Sequence, residues 1–373
     1  MMPSMPDGLS STIPARRSSR APLAPLAALA ALAALTLLAG CSRRPHLVPA
    51  SADSTRAGVD SFSVYAHQAS DHWESGLDDQ ASALSARALR EALQARPSAP
   101  WADRVRGVLD SLGMAADVAG TDIALVANLF ARSDPEGESW PYLFWRDATG
   151  VRFQSVEGHG LHLEDVATRR FGSRTVPGDS SQVAVLWGRR VAGGRQPLVV
   201  TLRWTRGRWD LLQTLGADSL GGTGTGEFSA SDTSRALVVR TYRPTAWFDE
   251  CATCPHVFHE RDYRWGPAGF TRLNDRIVPS PYGTFSSFIG ALVAGDRERA
   301  AQFVVDKSLI DFARRYEWQS PSKGRWRVAP ASDETGSEII FLRGASEAYR
   351  VRFEPRDGDW AIAGFEATTR SIE

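Results

Sequence analysis

Four times along the chain, two aromatic residues bracket a short glycine-containing turn: Trp145…Gly150…Phe153, Trp204…Gly207…Trp209, Trp265…Gly269…Phe270 and Phe353…Gly358…Trp360. Glycine accepts the positive φ that tight hairpins need, and aromatics on facing strands stabilise the pair. Around the first three copies, residues 121–275 alternate apolar and polar in short runs. Candidate strands cover 123–131, 142–146, 151–156, 183–187, 198–204, 209–214, 236–242, 257–265 and 270–273. The expectation is an antiparallel β-rich meander over 121–278. The alternative is part of a β-propeller, but about 150 residues supply only three blades, too few to close a ring.

The pattern changes near Pro279. Ser280 can cap a helix with Pro281 at its first position. Tyr282, Phe285, Ile289 and Leu292 then fall at i, i+3, i+7 and i+10, one helical stripe. Gly295 ends that helix, Asp296 caps a second and Asp306 a third. Strands are expected at 326–328, 338–342, 348–353 and 360–367. This order, with Phe288-Ile289-x-Ala291-Leu292-x-x-Gly295-Asp296 at its start, resembles the NTF2-like (SnoaL-type, cystatin-like cone) superfamily over residues 279–373. The resemblance implies an α+β cone. Members of that superfamily include isomerases and dehydratases, and also many non-catalytic accessory domains. Their catalysis uses Asp, His or Tyr inside the cone. Asp311 and Tyr316 are the nearest candidates here, and no His follows His259. A ligand pocket in such a cone would draw on Phe285, Ile289, Asp311, Tyr316 and Trp360.

At the other end, Arg16, Arg17 and Arg20 precede an Ala/Leu run that starts at Ala21 and closes on Leu38-Ala39-Gly40-Cys41. The closing tetrad resembles the lipobox of bacterial lipoproteins. That resemblance implies a diacylglyceryl thioether on Cys41, cleavage before it and an acylated new N-terminus. Three chains, at about 0.8 kcal/mol per buried CH₂, would anchor durably. The expected address is the cell envelope, and Ser42 in place of Asp points to the outer membrane of a two-membrane host. A transmembrane helix is the competing reading of a run this long. Pro22, Pro25 and the fit at Cys41 favour the signal.

Residues 41–60 are polar and read as a tether. In 61–120, Leu77, Ala81, Leu84, Ala88 and Ala92 mark one helix, stopped by Pro97 and Pro100. Trp101, Val105, Val108, Leu109 and Leu112 mark a second, ended by Gly113. The expectation is an N-terminal helical hairpin packed on the next domain. A tetratricopeptide array would need about three such units, and no second copy is visible.

Removing Arg16, Arg17, Arg20 and Asp7 from the 43 basic and 43 acidic residues leaves 40 against 42. There is no charge block, so nucleic-acid binding has no electrostatic support. Besides Cys41 the cysteines are Cys251 and Cys254, an even pair that reads as a structural disulfide in an oxidising compartment. With His256 and His259 the pair is also a candidate zinc set, though tighter than usual spacing. A redox CxxC would sit at a helix start, whereas a strand follows here. His159-Gly-Leu-His162-Leu-Glu164-Asp165 reads as a surface loop, and Gly221-Gly-Thr-Gly-Thr-Gly226 as a flexible connector without the helix and Lys of a phosphate loop. The resulting expectation is an α+β chain of signal (1–40), tether (41–60), helices (61–120), β-rich domain (121–278) and cone (279–373). It carries no cofactor or metal. Its partners are membrane lipid through Cys41 and an envelope protein, and its role is non-catalytic binding or scaffolding. The alternative is a ligand carrier or isomerase/dehydratase-like enzyme using the cone.

Overall fold

The computed structural model describes residues 60–95, 101–112, 114–131, 134, 137–171, 181–229, 235–251, 253–329 and 336–369. The signal segment, Cys41 and most of the tether lie outside them. Among the described residues, no helix is long and apolar enough to cross a membrane.

Three helices come first, one more than the sequence suggested: α1 (Ser61–Glu74), α2 (Asp78–Ala95) and α3 (Trp101–Ser111). The Asp60 side chain caps α1 by accepting from the Phe62 N–H at 3.1 Å. Leu89, Leu93, Val105 and Leu109 are buried together with Leu125, Leu129, Tyr142 and Phe144 of the sheet that follows. The helices therefore cover one face of that sheet.

Three antiparallel meanders of four strands succeed one another. The first holds β1 (Met114–Gly120), β2 (Ala124–Ala131), β3 (Ser139–Asp147) and β4 (Gly150–Ser155). The second holds β5 (His162–Arg170), β6 (Ser181–Val191), β7 (Gly194–Thr205) and β8 (Arg208–Leu215). After the single turn α4 (Ala217–Leu220) come β9 (Thr223–Phe228), β10 (Leu237–Tyr242), β11 (Phe258–Gly266) and β12 (Gly269–Ile277). Two expectations are corrected here. The 159–165 stretch leads into β5 rather than staying a surface loop. The glycine run is no loose connector, because most of it is β9, paired residue for residue with β10.

Each aromatic hairpin is the last hairpin of its sheet. Trp204 lies opposite Trp209, and Trp265 opposite Phe270. In the first sheet it is Phe144 that faces Phe153, while Trp145 turns to the other side and meets Trp204 edge-on at 5.7 Å. The sheets stack through alternating faces. Val126, Leu143 and Trp145 pack on Val185, Trp187 and Val200. From the opposite face of the second sheet, Ala184, Leu186 and Val199 pack on Leu237, Val239 and Trp265. A strand buried on both faces must be apolar throughout, which explains the unbroken run Val183-Ala-Val-Leu-Trp187. The stack ends where the polarity changes. On the far face of the third sheet, Glu260 lies across from Arg240 and Arg276, and Arg235 bridges Glu260 and Asp262.

Glutamines tie the layers at the aromatic hairpins. Gln94 of α2 accepts from the Val151 N–H at 2.7 Å. Gln154 of β4 donates to the Trp209 carbonyl at 2.8 Å and accepts from its N–H at 3.1 Å. Gln213 of β8 makes the same two bonds to Phe270, at 3.0 and 2.7 Å. Such bonds contribute roughly 0.5–1.5 kcal/mol each, and they fix the register of one layer on the next. Gly150 and Gly269 therefore serve twice. Both have positive φ (126° and 99°), and a Cβ at either would run into the glutamine that clamps the following residue.

The C-terminal unit has α5 (Pro281–Val293), α6 (Arg297–Gln302), α7 (Ser308–Arg315), a 3-10 turn (Pro321–Lys323), and the antiparallel strands β13 (Trp326–Val328), β14 (Glu338–Arg343), β15 (Glu347–Arg356) and β16 (Asp359–Ala367) in sequence order. Two of the three helix caps form as the sequence indicates, whereas at α7 the capping position is Lys307 and Asp306, one residue earlier, accepts from the Ser308 N–H at 2.8 Å. Ser280 accepts from the Gly283 N–H, and Asp296 from the Arg299 N–H. Tyr282, Phe285, Ile289 and Leu292 all face inward with Phe341 and Val351. Phe285 stacks on Phe341 with centroids 3.8 Å apart. Phe288, Trp318 and Trp326 fill the rest of the interior and are at most 2 % exposed. The core also recruits residues from before Pro279. Phe248 is buried in it, and its segment pairs with β13 through the Trp326 N–H to the Trp247 carbonyl (2.9 Å) and the Asp249 N–H to the Trp326 carbonyl (2.7 Å).

Candidate functional site

The residues expected to line a pocket in the C-terminal unit do not meet around one space. Phe285 and Ile289 are core, at 0 % exposure. Asp311 is on the surface, where Arg297 grips both its oxygens at 2.6 and 2.9 Å. That grip, led by the Arg297 hydrogen bonds, holds the Asp311 carboxyl below the usual carboxylate range. Tyr316 is 42 % exposed, and Trp360 is half-buried at the start of β16. The cysteine–histidine cluster also separates. Cys251 and Cys254 lie at disulfide distance, with Cα atoms 5.0 Å apart. His256 turns to Glu250, and His259 to Asp275. Of the other pair, His159 is exposed and His162 lies near Asp117 at 3.9 Å.

The chemistry concentrates where the β-stack meets the C-terminal unit, along the loop 243–257. Glu250 immediately precedes the cysteine pair, His256 follows it by two residues, and both side chains are almost fully buried (2 % and 5 % exposed). His256 Nδ1 lies 3.0 Å from Glu250 Oε2. Glu250 Oε1 accepts from the Tyr282 hydroxyl at 2.7 Å and the Thr245 hydroxyl at 2.6 Å. The His256 ring lies flat on Tyr242, centroids 3.5 Å apart. Burial, and then the Glu250 carboxylate, push the Tyr282 phenol far above its ordinary range, so it remains a donor. Three elements meet at this cluster: the end of β10, whose Tyr242 stacks on His256, the cysteine loop, and the first turn of α5, whose Tyr282 bonds Glu250. The disulfide-distance pair fixes the loop that carries the two central groups, a small constraint on a short loop.

Beside this lock opens a cleft of about 570 Å³. Arg243, His259, Arg261 and Arg272 line it against a single carboxylate, Asp218, with hydroxyls from Thr245, Ser286 and Ser287. Arg261 is the best held of the four. Its guanidinium donates to the Leu220 carbonyl (3.1 Å), the Thr241 hydroxyl (2.9 Å) and Asp275 (2.9 Å). It passes so close over Gly221 (φ 97°) that any Cβ there would overlap Nη1. Burial alone would raise the Asp275 carboxyl. Hydrogen bonds from His259 and Arg261 outweigh that and hold it below its ordinary value. Arg272 stands 3.6 Å from Asp275 and is 57 % exposed. Arg243 donates to the Ala217 carbonyl at 3.2 Å and has no carboxylate partner among the described residues.

Of the charged and imidazole side chains that line the cleft, the sequence singled out only His259, and as a partner of the cysteines. One signal was available. His259 and Arg261 share the strand face of Tyr263 and Trp265, so two polar groups occupy inward positions of β11. An inward polar pair marks a place where the layers part. No family model, characterised protein or solved structure matches the chain.

Proposed function

We propose that this chain is a lipid-anchored cell-envelope protein whose role is binding or scaffolding rather than catalysis. The anchor rests on the lipobox-like Leu38-Ala39-Gly40-Cys41 behind a basic n-region and an Ala/Leu run. On this reading Cys41 takes the lipid, residues 42–60 tether the folded part, and the outer membrane of a two-membrane host is the address. The C-terminal unit is read as an NTF2-like module of the accessory kind. Three helices followed by a four-stranded meander support the first half of that reading. The observation that carries the second half is the interior of the unit. Phe285, Phe288, Trp318, Trp326 and Phe341 occupy the space in which a catalytic member would hold substrate.

A protein of this kind acts through its surface, so a partner should be captured there. A photo-reactive side chain placed at exposed Tyr316 or Leu211, in the anchored protein in its own membrane, is expected to give a discrete cross-linked product. The same probe at buried Phe288 is expected to give none. Absence of product from every exposed position would contradict the binding role.

A further inference from the structure

We infer that the cleft between the third sheet and α5 is a binding site for a small hydroxylated anion, a phosphate or carboxylate borne on a sugar-like body. The inference rests on the reading of this chain as a binding protein and names a ligand class for it. It does not depend on the lipid anchor.

Three observations carry it. The first is size, since about 570 Å³ falls within the roughly 300–1,000 Å³ of small-molecule sites. An isolated inorganic anion would leave most of that space unused. The second is charge. Three guanidiniums line the cleft with Asp218, and Asp275 beside it pairs with Arg261 and His259 and approaches Arg272, so the uncompensated positive charge is that of Arg243 and the outer side of Arg272. A guanidinium presents a planar fork of donors that matches carboxylate and phosphate oxygens in pairs. Arg243 and Arg272 have donors to spare, because one contacts only a backbone carbonyl and the other only reaches Asp275 at 3.6 Å. The third is construction. Arg261 is 11 % exposed, anchored by a backbone carbonyl, a hydroxyl and a carboxylate, and accommodated only because residue 221 has no side chain. A charged side chain held this firmly at the base of a cleft keeps its position before a ligand arrives, which lowers the ordering cost of binding.

The remaining lining sets the rest of the ligand. Ser286 and Ser287 on α5 offer hydroxyls that both donate and accept, while the Thr245 hydroxyl, which donates to Glu250 at 2.6 Å, is left only to accept. Val257 and Pro244 are the main apolar contributions. That mixture suits a polyhydroxylated body and gives little to an acyl chain or an extended aromatic.

The test uses the purified full chain, kept in detergent whether or not it carries lipid, titrated calorimetrically with ribose 5-phosphate, citrate and neutral ribose. At least one of the two anions is expected to bind saturably, more weakly as salt is raised, and ribose is expected not to bind. Arg243→Ala and Arg272→Ala alter exposed side chains, so melting should stay at the wild-type temperature while affinity falls about tenfold or more in each. Lysine at either position should recover part of the loss. If neither anion binds, or if the double variant binds as the wild type does, the assignment is wrong. Failure of the anchor would appear in the mass of the N-terminus. Failure of the binding role would appear in the cross-linking from Tyr316, which does not line the cleft. Neither would be mistaken for failure at the cleft.

Discussion

Phe285→Ala is expected to destabilise the C-terminal unit by about 3–5 kcal/mol, the range for removing a fully buried phenyl ring from a close-packed core. Phe285 is 0 % exposed. Its ring stacks on Phe341 at 3.8 Å and meets Trp326, Trp318 and Phe248 edge-on at 5.1, 5.5 and 6.1 Å. These neighbours come from β14, β13, the turn after α7 and the loop before β11. They cannot collapse together into the space left by the ring, so the cavity term is added to the transfer term. Denaturant unfolding followed by tryptophan fluorescence measures the loss. A cost below about 1.5 kcal/mol would mean that the site yields easily. The interior would then be nearer to a pocket than to a solid core.

Glu250→Ala is expected to cost a similar amount, about 3–5 kcal/mol, because it removes the acceptor shared by a buried hydrogen-bond cluster and leaves several donors unsatisfied at about 1–3 kcal/mol each. The truncation leaves the Tyr282 hydroxyl, the Thr245 hydroxyl and His256 Nδ1 without their shared partner at a site where the Glu250 and His256 side chains are almost fully buried. It also releases the loop that holds Phe248 against β13. Glu250→Gln keeps the shape and one carbonyl oxygen and should cost less. Tyr282→Phe removes a single bond to a charged acceptor, worth about 1.5–3 kcal/mol, and should also cost less than the alanine. The ranking is read from the same unfolding curves. An alanine variant no less stable than the tyrosine variant would show that the carboxylate does not organise the junction.

Much of the middle of the fold was legible because hairpin chemistry is local. A glycine, its flanking aromatics and the alternation around them specify a strand pair without any distant residue. The second, third and fourth strands of each stacked sheet were visible for that reason. The strands that escaped were β1, β5 and β9, the first strand of each stacked sheet. Their sequences, MAADVAG, HLEDVATRR and TGTGEF, are small or polar and mostly half-buried. β1 lies against β5, and β5 against β9. Where strands of neighbouring layers crowd together, small residues are favoured and the β-branched signal disappears.

The stacking of three sheets was not legible either. An unbroken apolar run such as 183–187 shows that both faces are covered but not what covers them. In the C-terminal unit the helix stripe and the caps at Ser280 and Asp296 were local and correctly placed. Phe248 was not, because it joins that core from a loop without periodicity. The cleft has the same difficulty. Arg243, Arg261 and Arg272 come together only when β11 and β12 pair and the loop folds back over α4.

A lipid on Cys41 would set the membrane surface at which every face of the folded chain operates. The intact mass of the chain extracted from its own membrane tests it most directly, with Cys41→Ser beside it. The account predicts a polypeptide that begins at Cys41 and carries the added mass of a diacylglyceryl group and one further acyl chain. It predicts that the serine variant retains residues 1–40 and carries no lipid. A chain that begins at another residue, or an unmodified Cys41 in the membrane-derived protein, would contradict it.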